Sequence, residues 1–233
     1  MVDVPVITVD GPGGSGKSTL CLRLAQRLGW HALNSGALYR LLALAAERAG
    51  LLPTQMVPLS ALARSMQVRF VPNASGDAWV VFLEEVDVTQ AIQEDRCAQL
   101  ASQMAGIPEV RTALLVKQRD FRQTPGLVAE GRDMGTVIFP DAALKIFLLA
   151  SPQERAKRRY RQLKQEGVHV TLAELEQSLS ERDARDTKRA VAPLVAAEDA
   201  LVLDTTTLSF DQVVLRVEQE IRIVFPHVSF STL

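Results

Sequence analysis

The stretch Val4-Pro-Val-Ile-Thr-Val9, followed directly by Asp10-Gly-Pro-Gly-Gly-Ser-Gly-Lys-Ser-Thr19, decides the fold. A short β-branched run of this kind is typical of a strand buried in a parallel sheet. Leucines then recur at helical spacing over residues 20–28, and Gly29 predicts the end of that helix. The chain therefore begins as strand, glycine-rich turn and helix.

The glycine-rich turn matches the phosphate-loop pattern Gly-x-x-x-x-Gly-Lys-Ser in full. Glycines allow successive backbone N–H groups to point inward around a polyphosphate, and the following helix presents its N-terminus to the same anion. Lys17 is expected to reach the β- and γ-phosphates, and the Ser18 hydroxyl to bind Mg²⁺. The predicted residues of this nucleoside triphosphate site are Gly11, Pro12, Gly13, Gly14, Ser15, Gly16, Lys17, Ser18 and Thr19.

The rest of the chain alternates between apolar strand patterns and amphipathic helix patterns. Strands are predicted near 31–33 and at 127–129, 144–149 and 200–203, and helices at 36–48, 92–105, 108–122, 152–164, 172–188 and 211–223. Antiparallel strands are predicted at 67–71 and 78–83, with a third short strand at 86–88. We expect one three-layer α/β domain over residues 1–233 with a five-stranded parallel sheet, an antiparallel insertion at about 64–106, and an arginine-rich helical region at about 152–190.

Arginines recur where a second anion could be held. Two helical stripes carry them: Arg155, Arg158 and Arg159 at i, i+3, i+4, and Arg182, Arg185 and Arg189 at i, i+3, i+7. Transfer of a phosphoryl group between two anions needs dispersed positive charge and exclusion of water, which mobile arginine-rich helices supply. A solvated face of ion pairs is the alternative for these stripes. Glu130 and Asp133 are candidates for a Mg²⁺, water or substrate contact.

Composition excludes several classes of protein. Lys and Arg number 26 against 27 Asp and Glu, so no strongly basic surface indicates nucleic-acid binding. The longest charge-free run, residues 49–63, contains two prolines and is shorter than the roughly 20 apolar residues of a membrane span. Two cysteines and three scattered histidines suggest neither a disulfide framework nor a metal cluster, so we expect a reduced, cytoplasmic protein. Neither asparagine precedes a lysine, which disfavours a guanine-nucleotide switch.

Four motifs together resemble the bacterial cytidylate kinase family. They are Gly11-Pro-Gly-Gly-Ser-Gly-Lys-Ser18, Asn34-Ser-Gly-Ala-Leu-Tyr-Arg40, Gly131-Arg-Asp-Met-Gly-Thr136 and Glu181-Arg-Asp-Ala-Arg-Asp-Thr-Lys-Arg-Ala-Val-Ala-Pro-Leu194. The resemblance runs from about Val4 to Leu208. It implies an adenylate-kinase-like fold with a nucleoside-monophosphate-binding insertion and a short helical lid. It also implies transfer of a phosphoryl group from ATP, with Mg²⁺, to CMP or dCMP.

The resemblance also implies roles for individual residues. The acceptor phosphate and nearby groups would be held by Ser35, Arg40, Arg132 and Arg189. Arg182 would lie near the transferred phosphoryl group, Asp186 would bind the sugar hydroxyls, and Tyr39 would contact the substrate. Cytosine would be read by Ser102, Arg111 and Asp133. Arg155, Arg158 and Arg159 would belong to the lid, Arg155 and Arg159 would bind ATP, and the catalytic residues would be Lys17, Arg132, Arg158 and Arg182. Partners would be small nucleotides, with no nucleic acid and no membrane, and the protein would be a monomer.

The expected base preference makes chemical sense. Cytosine offers an amino donor beside acceptors, which a carboxylate and an arginine complement. Uracil would place a carbonyl against Asp133, so UMP should be a poor substrate. Three other functions remain open from the residues alone: a P-loop kinase for another small anionic acceptor, an ATP-dependent binding module, and RNA binding through the arginine-rich face at residues 155–161.

Overall fold

The computed structural model describes residues 4–76, 78–165 and 167–231. The strands are β1 (Val6–Asp10), β2 (His31–Asn34), β3 (Val68–Pro72), β4 (Trp79–Leu83), β5 (Val86–Asp87), β6 (Leu127–Gly131), β7 (Leu144–Leu149) and β8 (Leu201–Asp204). The helices are α1 (Lys17–Leu28), α2 (Ser35–Arg48), α3 (Met56–Ser65), α4 (Asp95–Met104), α5 (Pro108–Arg119), α6 (Pro152–Gln165), α7 (Leu172–Thr187) and α8 (Phe210–Val224). A 3₁₀ turn lies at Ala91–Gln93 and a π-helical turn at Met134–Ile138.

The main sheet has the strand order β2-β6-β1-β7-β8, and every neighbouring pair is parallel. The predicted five-stranded parallel sheet is confirmed. Strand β1 lies at its centre and all five of its residues are buried. Asp10 is in register with Gly131 of β6, so the ends of these two strands meet at one edge. That edge is where ligands bind in open parallel sheets.

Helices cover both faces of this sheet, which confirms the three-layer arrangement. One hydrophobic core joins α1 and α8 to the sheet through residues such as Leu20, Leu24 and Val217. The other joins α2, α4 and α5 to the opposite face through residues such as Leu38 and Leu114. Burial of these apolar side chains is the main force that holds the layers together.

A separate antiparallel sheet, β3-β4-β5, lies within the predicted insertion. Val81 and Leu83 of β4 belong to the same buried cluster as Leu38 of α2 and Ala129 of β6. The small sheet is therefore anchored in the core on one face of the main sheet.

Several predicted boundaries are wrong, each for a local reason. The helix expected over 92–105 is interrupted at Glu94, whose backbone is extended (φ −59°, ψ 140°) between the 3₁₀ turn and α4. The next helix ends at Arg119 rather than 122. Helix α3 was not predicted because Pro58 falls within its ten residues; that proline occupies the first turn, where a missing N–H is tolerated. Arg189 lies beyond the end of α7 and so is not part of a helical stripe.

Two negative findings apply to the part of the chain that the structure describes. No described helix is both long and apolar enough to cross a membrane. No described group of three or more His, Cys, Asp or Glu is arranged to hold a metal ion. Cys21 and Cys97 are both buried free thiols.

Candidate active site

The phosphate loop connects β1 to α1 at the edge of the sheet where β1 and β6 end. Gly11, Gly14 and Gly16 have φ values of +145°, +76° and +95°, a region that side chains with a Cβ rarely adopt. A Cβ on Gly11 would lie 2.2 Å from the carbonyl oxygen of Leu148 in β7. The glycines therefore allow the loop to pack tightly on the neighbouring strand, as the motif predicts.

Lys17 is buried at the start of α1, and its Nζ donates a hydrogen bond to the Pro12 carbonyl oxygen at 2.7 Å. The pKa of Lys17 is lowered to about 7, mainly by burial and also by the positive charge of Arg132, while the carboxylate of Glu130 acts in the opposite direction. A bound polyphosphate would restore the charge of this ammonium group. The site around Lys17 therefore favours binding of an anion.

Glu130, in the neighbouring strand β6, contacts the phosphate-loop motif at Ser18. Its Oε2 accepts a hydrogen bond from the Ser18 hydroxyl at 2.9 Å, whereas its buried Oε1 has no hydrogen-bond partner among the described residues. Burial raises the pKa of Glu130, and Lys17 opposes that rise. An oxygen donor set of a serine hydroxyl backed by a carboxylate is the kind that Mg²⁺ prefers.

Helix α6 supports the loop from outside. Arg155 donates to the Gly13 carbonyl oxygen at 3.0 Å and pairs with Asp183 of α7 at 2.5 Å. Arg158 donates to the Thr205 carbonyl oxygen at 2.6 Å, beside the end of β8. Arg155, predicted as an ATP ligand, and Arg158, predicted as a catalytic lid residue, therefore bind backbone of the phosphate loop and of the residue after β8.

A cavity of about 50 Å³ lies beside the phosphate loop. Nine of the ten residues predicted to bind the acceptor line it: Ser35, Tyr39, Ser102, Arg111, Arg132, Asp133, Arg182, Asp186 and Arg189. These residues come from α2, α4, α5, the loop after β6, and α7 with the residues that follow it. Folding brings together positions that are spread over more than 150 residues of the chain.

One wall of the cavity carries a buried ion pair between Arg111 and Asp133. Burial raises the pKa of Asp133, and the guanidinium of Arg111 works against that rise. The hydroxyls of Ser102 and Tyr39 are buried nearby and have no hydrogen-bond partner among the described residues. Burial also raises the pKa of Tyr39 to about 12, so this phenol is a hydrogen-bond donor at neutral pH.

The other wall is strongly cationic. Arg132 donates to Asp186 at 2.8 Å, and Arg189 pairs with the other oxygen of the same carboxylate. Burial opposes ionisation of Asp186, but Arg132, Arg189 and Arg182 together hold its pKa below the ordinary value. Burial and the charges of Arg132 and Arg40 lower the pKa of Arg182 to about 9. One carboxylate does not balance three guanidinium groups, so an anion is the expected ligand.

Arg40, predicted for the acceptor, and the lid candidate Arg159 do not line this cavity, and neither do Arg155 and Arg158. Arg40 instead donates to the Ile92 carbonyl oxygen at 2.6 Å, at the end of the insertion. Arg159 donates to Gln162 on its own helix at 2.9 Å. Both remain part of the positive field: burial lowers the pKa of Arg40, and the charges of Arg159 and Arg132 lower it as well.

Two residues of the site lie outside the set that the sequence motifs predicted. Asp10, just before the phosphate loop, accepts backbone N–H bonds from Met134 at 2.9 Å and Gly135 at 2.8 Å. It thereby ties the loop to the turn that carries Asp133. Gln118 of α5 accepts a hydrogen bond from Ser35 at 2.9 Å. The position of Asp10 at a strand end was a usable signal, whereas nothing in the local sequence distinguishes Gln118.

The fold and the paired sites define a P-loop phosphotransferase with an arginine-lined acceptor cavity. A family model described as Cytidylate kinase matches residues 7–223. The chain therefore belongs to the cytidylate kinase family.

Curated relatives agree over most of their length. The chain is 56% identical over 218 residues to a cytidylate kinase of Stutzerimonas stutzeri, covering 94% of this chain and 95% of that protein. It is 53% identical over 211 residues to a cytidylate kinase of Nitrosococcus oceani, covering 91% and 93%. It is 55% identical over 213 residues to one of Proteus mirabilis, covering 91% and 94%. Among solved structures, the protein TT1252 of Thermus thermophilus is similar at 18% identity and a TM-score of 0.47. The match covers 95% of this chain and 98% of that one, and the family assignment does not rest on it.

Proposed function

We propose that this chain transfers the γ-phosphoryl group of ATP to CMP and dCMP, giving ADP and CDP or dCDP. The observation that carries the proposal is the cavity beside the phosphate loop, where the buried Arg111–Asp133 pair lies together with Arg132, Arg182 and Arg189. A hydrogen-bonding wall for a base and a cationic wall for a phosphate, in one cavity, suit a nucleoside monophosphate.

The base wall complements cytosine. The Asp133 carboxylate can accept from the exocyclic amino group, and the Arg111 guanidinium can donate to the ring nitrogen and carbonyl oxygen beside it. Uracil has a carbonyl oxygen in place of the amino group, so two acceptors would face each other in a buried site. Leaving buried polar groups unpaired is costly, which disfavours UMP.

The cationic wall supplies what phosphoryl transfer needs. An oxygen of the acceptor phosphate bonds to the γ-phosphorus of ATP while the bond from that phosphorus to the β-bridging oxygen breaks, and ADP leaves with the electron pair. Lys17 is buried and Arg132 and Arg182 are part-buried at this point, and burial together with neighbouring positive charge lowers the pKa of Lys17 and of Arg182. Fixed positive charge in a site without water stabilises the negative charge that spreads over the transferred group.

Ser18 and Glu130 fit the Mg²⁺ that accompanies ATP. The unpaired Glu130 Oε1 is a buried acceptor that a hydrated cation would satisfy. When bound, Mg²⁺ neutralises charge on the β- and γ-phosphates. Ser18 would hold the metal, and Glu130 would orient the serine hydroxyl through the hydrogen bond between them.

Segments 64–106 and 152–190 are the moving parts of the proposed mechanism, within a single domain. Ser102 of the first and Arg182 of the second both line the acceptor cavity. In this mechanism these walls separate when the nucleotide enters and close before transfer, which excludes water from the reacting groups. We expect the protein to be a monomer, with a mass in solution of 25.5 kDa by light scattering.

Replacement of Lys17 by alanine tests the mechanism. We expect Lys17→Ala to remove CMP-dependent ADP formation while circular dichroism shows an intact fold. Its buried Nζ is the cation nearest the loop, and turnover should fall at least about a hundredfold. Normal turnover in the folded variant would contradict the proposal. ATP binding by the wild type without turnover of any free nucleotide would indicate a binding module, and turnover with a different small anion would indicate another acceptor.

A further inference from the structure

We infer that Gln118 is a positioning residue for the acceptor nucleotide: it fixes the direction of the Ser35 hydroxyl so that Ser35 presents a hydrogen-bond acceptor to the cavity. This inference rests on the proposed function. Gln118 does not line the cavity, and its effect on the substrate passes through Ser35.

Gln118 is buried near the C-terminal end of α5. Its side chain is only 1% exposed, so its amide makes its hydrogen bonds within the protein. The Nε2 donates to the Leu114 carbonyl oxygen at 3.3 Å, and the Oε1 accepts from the Ser35 hydroxyl at 2.9 Å. Rotation of the amide by 180° would place two carbonyl oxygens together, so this orientation is the stable one.

Counting protons then fixes the role of Ser35. An amide oxygen can only accept, so the single hydroxyl proton of Ser35 lies between Ser35 and Gln118. What remains on the cavity side of Ser35 is a lone pair. Ser35 is therefore arranged to accept from a donor, such as a sugar hydroxyl, the cytosine amino group or an arginine. A fully ionised phosphate oxygen has no proton to donate, so the direct phosphate contact implied for Ser35 by resemblance does not fit this geometry.

The position of Ser35 in α2 makes this orientation matter. Ser35 is buried at the first residue of the helix, and Tyr39 lies one turn later on the same face. Both line the cavity, and the Tyr39 hydroxyl has no hydrogen-bond partner among the described residues. Gln118 thus fixes the orientation of the Ser35 hydroxyl before the nucleotide binds, which reduces the entropic cost of ordering this side chain on binding.

The test is a double-mutant cycle with Gln118→Met and Ser35→Ala. Methionine has similar length and flexibility but cannot accept this hydrogen bond usefully. We expect Gln118→Met to raise the KM for CMP about three- to tenfold, the effect of one lost hydrogen bond, with the KM for ATP within about twofold. The double variant should match Ser35→Ala alone within about twofold, because the two residues act through one contact.

Leu115→Ala is the matched control, since Leu115 packs from the same helix against the same core and does not line the cavity. It should lower thermal stability without moving the KM for CMP. A Gln118→Met variant whose KM for CMP equals that of Leu115→Ala, or effects that multiply in the double variant, would overturn the inference. Absence of CMP turnover in the wild type would instead contradict the proposed function before any variant is compared.

Discussion

Three carboxylates are buried around the ends of β1 and β6, and each is held by a different kind of partner. Asp10 accepts two backbone N–H groups, Glu130 accepts from Ser18 beside Lys17, and Asp133 pairs with Arg111. Burial raises the pKa of all three, to about 6 for Asp10. Their partners decide their roles: Asp10 holds the backbone, Glu130 faces the phosphate loop, and Asp133 faces the acceptor cavity.

Replacement of Asp133 by asparagine should narrow the preference for CMP over UMP. The amide can still accept from the cytosine amino group with its oxygen, but it can also donate to the uracil carbonyl with its nitrogen. We expect kcat/KM for CMP to fall at least about thirtyfold, and the ratio of CMP to UMP to shrink at least about tenfold.

Steady-state kinetics with both nucleotides checks this. Asp141→Asn is the control, because Asp141 pairs with Arg122 on the surface with its side chain 59% exposed. An unchanged ratio in Asp133→Asn would mean that cytosine is read elsewhere.

Lys17 should take up a proton when a nucleotide binds. Its pKa is lowered to about 7 in the free protein, so at pH 8 the amine is mostly neutral, and a polyphosphate favours the charged form. Binding of a non-hydrolysable ATP analogue without Mg²⁺ should therefore absorb close to one proton at pH 8. Uptake should nearly vanish at pH 6, where the free amine is already protonated.

Calorimetry in buffers of different ionisation enthalpy measures this proton. The control is Lys17→Arg, which keeps the charge but stays protonated at both pH values. Equal proton uptake by the wild type and Lys17→Arg at pH 8 would assign the titration to another group.

At the scale of elements, α6 acts as a support for the phosphate loop. Arg155 is 4% exposed, and it joins Ala150, Gly13 and Asp183 through its guanidinium. A Cβ on Gly14 would lie 3.1 Å from the Cβ of Arg155, which shows how closely this helix approaches the loop. On α6, Arg155 therefore supports the phosphate loop, whereas Arg159 bonds to Gln162 on the exposed surface of its own helix.

We expect Arg155→Met to weaken both stability and ATP binding. It removes the donor for the Gly13 carbonyl oxygen and leaves Asp183 without its partner, at a cost of about 2–4 kcal/mol in the free energy of unfolding. The KM for ATP should rise several-fold because the loop loses its support. Arg161→Met on the same helix, where the side chain is 67% exposed, should change stability by less than about 0.5 kcal/mol.

Urea denaturation and ATP kinetics of the two variants decide this point. Equal stability of Arg155→Met and Arg161→Met would show that α6 does not support the loop.

Elements with a long, regular pattern were predictable from the sequence, and short irregular ones were not. The buried run of β7 and the amphipathic α8 match their predicted positions within one residue. The π-helical turn at Met134–Ile138 was not predicted, because it depends on Asp10, which binds its backbone from 124 positions away. The break at Glu94 likewise has no proline or glycine to mark it.

At the scale of the whole molecule, motif positions predicted which residues meet but not how they pair. Nine of the ten acceptor-site residues line one cavity. Arg40 donates to the Ile92 carbonyl oxygen instead. Gln118 joins the site through its hydrogen bond with Ser35, which lies 83 positions away in the chain. Local patterns carry the type of an element and the order of motifs, whereas the direction of a buried side chain depends on tertiary neighbours.

The central claim is that one cavity both holds a monophosphate and reads cytosine. The most direct test is ADP release from ATP·Mg²⁺ with a panel of CMP, dCMP, UMP, AMP and GMP under one set of conditions. We expect efficient turnover of CMP and dCMP, with kcat/KM for UMP at least about a hundredfold lower and the purine nucleotides lower still. Turnover of UMP or AMP as efficient as that of CMP would contradict the claim that Arg111 and Asp133 read cytosine.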